Sequence, residues 1–396
     1  MLKEYRGHFG AVATNKQKTP WHHPTTSGTL RKKVEYLLSI ADVEINGTRP
    51  WDLQVLNNKF YHRVLASGSL GLGESYMDSW WDCKALDEFF NKVLRANLGP
   101  KVKSWTDFID SFRATLLNLQ KPSRAFQVGQ HHYDIGNDLY EKMLGNRLIY
   151  SCGYWKDATT LDEAQEAKLD LCCRKLAIKP GMRVLDIGCG WGDTAKFIAE
   201  RYKAEVVGIT ISKEQACFAE KRCEGLPVEI RLQDYRKLHD KYDRILSIGM
   251  FEHVGYKNYT RFMRVVRDRL QPDGIFLLHT IGSNYSVNSI DPWINKYIFP
   301  NAMLPSKKQI CNAIEGKFVL EDWHNFGADY DTTLMHWFRN FHNHWHTLKQ
   351  NYDARFYRMW KYYLLACAGS FRARRHQVWQ LVLSPRGIPG GYRSPR

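Results

Sequence analysis

The run 182–192, M-R-V-L-D-I-G-C-G-W-G, holds the residues of this 396-residue chain whose types and spacing point most directly to chemistry. Gly188, Gly190 and Gly192 let a ligand approach the main chain closely, and a helix beginning just after them would offer unpaired N–H groups. Asp186, just ahead of the glycines, can hold such a ligand by its polar edge. That combination suits a nucleotide-like ligand. An ordinary tight strand-to-helix turn also uses Gly-x-Gly, so the surrounding elements decide between the two.

A binding turn of this kind must lie between a strand end and a helix start. Arg183–Ile187 is a short apolar run suited to a buried parallel strand, and residues 196–200 continue at helical spacing. The unit then repeats. Strands are expected at Glu205–Thr210, Val228–Leu232, 244–248 and 274–280, with helices at 213–223 and 258–270. This alternation predicts an α/β fold with a parallel, doubly wound sheet and its ligands at the strand C-termini. Helices at 137–144 and 161–176 should precede the sheet, and strands at 318–322 and 377–384 should bring it to seven. Two aromatic-rich helices, 332–350 and 354–368, are expected between those last strands. Upstream, residues 1–28 lack periodicity and read as a disordered arm. Residues 29–98 read as a small, mainly helical domain, with helices from Thr29, from near Asn57 to a stop at Gly68, and over 86–94. Residues 99–124 read as a linker enclosing one helix, 105–119, and 125–396 as the catalytic domain.

The order of elements resembles class I S-adenosylmethionine-dependent methyltransferases, which have a Rossmann-like sheet. In that family the motif with Asp186, Gly188 and Gly190 holds the methionine part of the cofactor. The acidic residue usual for the ribose after the second strand is missing, and T-I-S-K-E-Q from Thr210 stands in its place. Within the class, V-V-G-I-T-I-S-K-E-Q from Val206 is similar to the cyclopropane-fatty-acyl-phospholipid synthases. S-L-G-L-G-E-S-Y-M-D from Ser69, H-Y-D-I-G-N-D from His132, Y-S-C-G-Y-W from Tyr150 and G-M-F-E-H-V-G from Gly249 agree. So do L-L-H-T-I-G from Leu277, D-P-W-I-N-K-Y-I-F-P from Asp291 and F-G-A-D-Y-D-T-T-L from Phe326.

The resemblance implies transfer of a methylene group from S-adenosylmethionine to the cis double bond of unsaturated acyl chains in membrane phospholipids. The products are cyclopropane acyl chains and S-adenosylhomocysteine. A cis alkene is a feeble nucleophile, so the site must align it with the sulfonium methyl and keep water away. Methyl transfer leaves a carbocation, which aromatic faces stabilise without being consumed. The family draws the leftover proton to a bound bicarbonate, held by residues matching Cys152, Glu252, His279, Ile281 and Tyr330. Donors from His279, Tyr330 and the backbone at Cys152 and Ile281 would fix the anion, and Glu252 would relay the proton outward. A cysteine matching Cys367 is also described as catalytic, although this chemistry needs no thiolate. For the cofactor, the resemblance points to Tyr150, Ser151, Asp186, Gly188, Gly190, Trp191, Gly192, Thr210, Ser212 and Gln215, with Gln233 or Asp234 meeting the adenine edge. Asp193 departs from the usual glycine, and an Asp at a helix start is a favourable cap.

Composition adds bounds. A formal charge of +16 asks for an anionic partner, nucleic acid or an acidic membrane surface, unless the excess is merely solubilising. Thirteen tryptophans and twenty-one tyrosines lean toward a lipid interface. No stretch reaches the about eighteen apolar residues of a membrane span, and the N-terminus lacks a secretory apolar core. A cytoplasmic protein attached peripherally to the inner membrane face, working as a homodimer on unsaturated phospholipids, is the expectation. Nine cysteines without a C-x-x-C pair suit reduced thiols. His336, His342, His344 and His346 invite a zinc reading, since His342 and His346 stand one helical turn apart. No thiol or carboxylate completes such a site, so no metal is expected. A nucleic-acid methyltransferase lacks support in G-M-F-E-H-V-G, which is not the N/D-P-P-Y/F signature of amino-methylating DNA enzymes. Nitrogen methylation, a branched or hydroxylated chain product, and a non-enzymatic lipid-binding module are the other readings.

Overall fold

Seven strands whose apolar residues alternate between two faces give the sheet two separate cores. Leu185 and Ile187, Val207 and Ile209, and Phe276 and Leu278 point into one, while Val184, Val206 and Leu277 point into the other. Strands covered on both faces read as continuous apolar runs, and here the cover is helical. The structure is a computed structural model that describes residues 27–97 and 136–396. The expected linker 99–124 with its helix, and all but the last two residues of the expected arm 1–28, lie outside the described residues.

The N-terminal part comprises α1 (Ser27–Ser39), β1 (Gln54–Val55), α2 (Lys59–Met77), β2 (Trp81–Asp82) and α3 (Leu86–Arg95). After α4 (Asn137–Leu144) and α5 (Leu161–Lys175) comes β3 (Arg183–Ile187), then α6 (Asp193–Tyr202), β4 (Glu205–Thr210), α7 (Lys213–Arg222) and β5 (Val228–Leu232). The second half runs β6 (Tyr242–Ile248), α8 (Tyr259–Arg269), β7 (Leu270–Ser283), α9 (Pro292–Tyr297) and α10 (Lys307–Ile314). It ends with β8 (Val319–Asn325), α11 (Asp329–Asn343), α12 (Trp345–Leu348), α13 (Ala354–Arg372) and β9 (His376–Ser384).

The strand order is β5-β4-β3-β6-β7-β9-β8. β3 to β7 pair in parallel, but β9 runs antiparallel to both β7 and β8, so the sheet is mixed rather than wholly parallel. The reason lies in where the chain re-enters. His376 at the start of β9 pairs with Ser283 at the end of β7, so α13 delivers the chain to the C-terminal edge of the sheet and the last strand must run back.

α2 also differs from expectation. Gly68 (φ 53°, ψ −129°) kinks it without ending it, and the helix continues to Met77. Gly73 then lets the Trp293 indole of α9 pack onto the helix, because a Cβ there would stand 2.3 Å from the ring. The expected helix 332–350 begins at Asp329 and is split into α11 and α12 at His344. Phe60, Tyr76, Trp81 and Phe89 of the N-terminal part share one core with Trp337, Trp360 and Leu364. Arg372 of α13 fastens that contact through Asp87 (2.7 Å) and Asp331 (2.9 Å).

Candidate active site

β3 is flanked by β4 on one side and β6 on the other, which makes its C-terminal end the point where strand order reverses and a crevice opens. A cavity of about 260 Å³ lies there, with Gly188 and Gly190 on one side and Glu252, His279 and Tyr330 on another. Both glycines have positive φ, 87° and 55°, and nothing stands within 4 Å of where a Cβ of Gly190 would be. Burial raises the Asp186 carboxyl to about 7, against the pull of the Lys168 ammonium. Its Oδ2 has no hydrogen-bond partner among the described residues. A buried carboxylate oxygen left unpaired at a glycine turn suits a cationic group such as the methionine ammonium of S-adenosylmethionine.

Tyr150, Ser151, Trp191, Thr210, Ser212, Gln215, Gln233 and Asp234 also line the cavity. The Thr210 hydroxyl donates to Gln215 Oε1 (2.9 Å), and Ser212 caps α7 by accepting from Gln215 N (3.3 Å). Neutral polar groups thus occupy the place of the missing acidic residue. Gly192 is not part of the wall. It packs the start of α6, where a Cβ would lie 2.8 Å from Ala219 Cβ. Asp193 is not the helix cap expected of it, because Gly192 in the left-handed region takes that position. The Asp193 carboxylate instead faces Arg222 (3.4 Å) and Arg147 (3.5 Å). Both Asp234 oxygens are engaged by Arg236, so the carboxylate offered to an adenine edge already has a partner.

On the far wall, Glu252 lies in the single 3-10 turn Phe251–His253 after β6, and His279 and Ile281 lie near the end of β7. Glu252 Oε1 accepts from the Ile281 N–H at 2.6 Å, while Oε2 is buried without a hydrogen-bond partner among the described residues. The Ile281 amide therefore serves Glu252 in this structure, where it was expected to serve an anion. Burial brings the Glu252 carboxyl to about 7. His279 is held neutral, its pKa pushed well below the ordinary value by burial and by Lys168 and Lys175, with Gln380 Nε2 3.3 Å from Nδ1. Tyr330 packs its ring against Trp337 and Phe371, and burial pushes its hydroxyl well up. The Cys152 thiol, also pushed well up by burial, donates to the Gly153 carbonyl. Cys367 sits on α13 and does not line the cavity; burial pushes its thiol up to about 12.

Sequence reasoning missed Lys168, Arg236 and the apolar wall of Ile290, Phe299 and Leu304. Lys168 is fully buried and donates to Ser151 Oγ (3.0 Å), and Gln165, a turn earlier on α5, donates to the Ser151 carbonyl (2.8 Å). Helical spacing could have paired Lys168 with Gln165, but not with Ser151. Among the described residues no group of three or more His, Cys, Asp or Glu side chains could hold a metal. His342 bonds Tyr357, and His336 stacks near Trp155.

Residues 120–381 match the family described as mycolic acid cyclopropane synthetase. The chain belongs to this family. It is 58% identical over 363 residues to the cyclopropane-fatty-acyl-phospholipid synthase of Escherichia coli K12, a match covering 91% of this chain and 94% of that protein. A cyclopropane synthase from Mycobacterium tuberculosis superposes with a TM-score of 0.62 at 31% identity, covering 65% of this chain and 97% of that one. A mycolic acid cyclopropane synthase complexed with SAH and CTAB gives 0.61 at 31% identity, over 65% and 97% of the two chains. The family member described here has the class I methyltransferase fold and is an S-adenosylmethionine-dependent methyltransferase. Among the described residues no helix is long and apolar enough to cross a membrane.

Proposed function

We propose that the protein is a cyclopropane-fatty-acyl-phospholipid synthase. It transfers a methylene group from S-adenosylmethionine to the cis double bond of unsaturated acyl chains in membrane phospholipids. The observation that carries this reading is that one cavity joins the glycine turn to Glu252, His279 and Tyr330 and continues into the apolar wall of Ile290, Phe299 and Leu304. An acyl chain needs such an apolar wall to cover it.

S-adenosylmethionine, when bound, supplies an electrophilic sulfonium methyl. Asp186 Oδ2 would meet its ammonium, Gly188 and Gly190 would leave room for it, and Thr210, Ser212 and Gln215 would hold its sugar. The lipid alkene would take that methyl, a carbon–carbon bond forming as the carbon–sulfur bond breaks. The former methyl then loses a proton and the ring closes. Tyr150, Phe299 and Tyr330 present ring faces around the cationic carbon and keep water out. A bicarbonate would supply the base, and His279 and Tyr330 would hold it beside Glu252. These residues fit a small anion, because the Tyr330 hydroxyl stays protonated and the neutral His279 ring keeps one N–H, so both can donate to it. Glu252, raised to about 7 and so partly ionised near neutrality, takes up the departing proton at Oε2. The enzyme works as a homodimer, attached peripherally to the inner face of the membrane, and its formal charge of +16 favours that surface.

The test is incubation of the purified protein with labelled S-adenosylmethionine and vesicles of unsaturated phospholipid, followed by mass spectrometry of the fatty acids. A mass gain of one methylene with loss of the double bond is expected. Label on a nitrogen head group, or a hydroxylated chain, would replace this reading with one of its relatives.

A further inference from the structure

Two segments form the rim of the apolar wall, and each has one end in the cavity and the other in solvent. The first leaves β7 at Ser283, exposes Tyr285 (69%) and Val287 (40%), and returns to place Ile290 in the wall. The second places Leu304 in the wall and then exposes Lys307 and Lys308 at the start of α10. The two are stitched together. Ser283 N donates to the Pro305 carbonyl (2.8 Å), and the Ser286 and Ser306 hydroxyls are 2.6 Å apart. The next residues along the two segments, Val287 and Lys307, are therefore brought near each other, and Tyr285 and Lys308 flank the same stitched point in sequence. Neither lysine forms an ion pair among the described residues, and the Asn284 amide fixes the loop from the other side on the Arg374 carbonyl (2.9 Å).

An exposed aromatic and an exposed β-branched side chain are each unremarkable when they stand singly. Next to two uncompensated cations, on the lip of an acyl-sized opening, they fit one partner: a bilayer with anionic phosphate head groups. We infer that this lip, Tyr285 and Val287 with Lys307 and Lys308, docks the enzyme on an anionic phospholipid surface and opens the apolar wall toward it. The inference rests on the lipid reading above. Tyr285 and Val287 enter the interfacial layer and the lysines meet phosphates. An acyl chain then slides between Ile290 and Leu304 without crossing open water. Docking and chemistry are separate in this arrangement, since none of the four docking side chains lines the cavity.

The test uses the full chain with vesicles of unsaturated phosphatidylglycerol, vesicles of unsaturated phosphatidylcholine, and the same lipids dispersed in detergent micelles. Two variants are compared, Tyr285→Ser with Val287→Ser and Lys307→Ala with Lys308→Ala. Each should lower binding to phosphatidylglycerol vesicles about tenfold, as expected for losing two interfacial side chains or two phosphate-facing charges. Turnover on those vesicles should fall in parallel. Turnover on micelles and S-adenosylmethionine binding should stay within about twofold of the parent, since no cavity residue changes. Unchanged vesicle binding in both variants overturns the docking lip, as does an equal loss on vesicles and micelles. Binding of the parent to duplex DNA, lost in the lysine variant without any vesicle binding, overturns it as well. A parent protein that binds vesicles through these residues but transfers no methylene overturns the proposed function and leaves the lip standing.

Discussion

Glu252 reaches across from the turn after β6 and accepts the Ile281 main-chain N–H of β7 at 2.6 Å, leaving its second oxygen buried and without a hydrogen-bond partner among the described residues. One oxygen positions the side chain, and the other is free for chemistry. We predict that Glu252→Gln keeps its place, because an amide oxygen still accepts from Ile281. It should bind S-adenosylmethionine with unchanged affinity yet lose about a hundredfold or more in kcat, the usual scale of a missing acid–base group. A fully active Gln variant would falsify the relay.

Asp186 carries the second prediction. Burial raises its carboxyl to about 7, so in the cofactor-free protein it is largely protonated below neutrality. A cationic methionine end binds the ionised form, and binding must then expel a proton. Affinity for S-adenosylmethionine should therefore fall about tenfold for each pH unit below that value and level off above it. Calorimetry in buffers of different ionisation enthalpy should detect the released proton, and Asp186→Asn should bind more weakly at neutral pH with a flat profile. Proton release that persists in the Asn variant would assign the linkage elsewhere.

How much of this was legible beforehand follows from what kind of force set each feature. Strands β3 and β4 and the latter part of β7 could be read because a strand buried on both faces is largely apolar, and the turn at Gly188 and Gly190 because only glycine accepts its backbone easily. The direction of β9 was hidden, since it depends on where α13 returns the chain to the sheet edge. The pairings of Lys168 with Ser151 and Arg236 with Asp234 were equally hidden. They arise from packing between elements or within a tight turn, and neither leaves a periodic trace.

Gly190 and Gly192 of the turn should separate by role. Gly192→Ala combines φ 86° with a Cβ 2.8 Å from Ala219 Cβ, and should cost about 1–3 kcal/mol of stability while cofactor affinity changes little. Gly190→Ala has no clashing neighbour in the protein, so beyond its backbone strain it should act mainly by filling ligand space. Thermal melts with and without S-adenosylmethionine distinguish them. The Gly192 variant should melt lower yet still be stabilised by cofactor, and the Gly190 variant should lose that stabilisation. The same response from both would place them on one side of the cavity wall, contrary to the geometry.

Cys367 stands outside the wall, and its thiol is pushed up to about 12 by burial, so almost none is thiolate at neutral pH. Cys367→Ala should retain kcat within about twofold and show only the modest stability loss of a small cavity. A large fall in kcat with unchanged melting temperature would give this thiol a part in the reaction.

Glu74 of α2 gives the N-terminal helices a hold on the acyl wall. Its Oε1 accepts from Lys296 Nζ (2.6 Å) and Tyr297 OH (2.8 Å) of α9, and its Oε2 from Arg63 (2.7 Å). α9 lies between Ile290 and Phe299, both in the cavity wall, and Trp293 of the same helix is seated on Gly73. Releasing Glu74 should let that wall drift while the glycine turn stays in place. We expect Glu74→Ala to raise KM for lipid about threefold or more and leave KM for S-adenosylmethionine within about twofold, a split that a general loss of folding would not produce. Because the lysine and arginine beside it hold the carboxyl at about 2, the split should not vary across neutral pH. Equal changes in both KM values would mean that α2 supports the fold as a whole and has no particular grip on the acyl side.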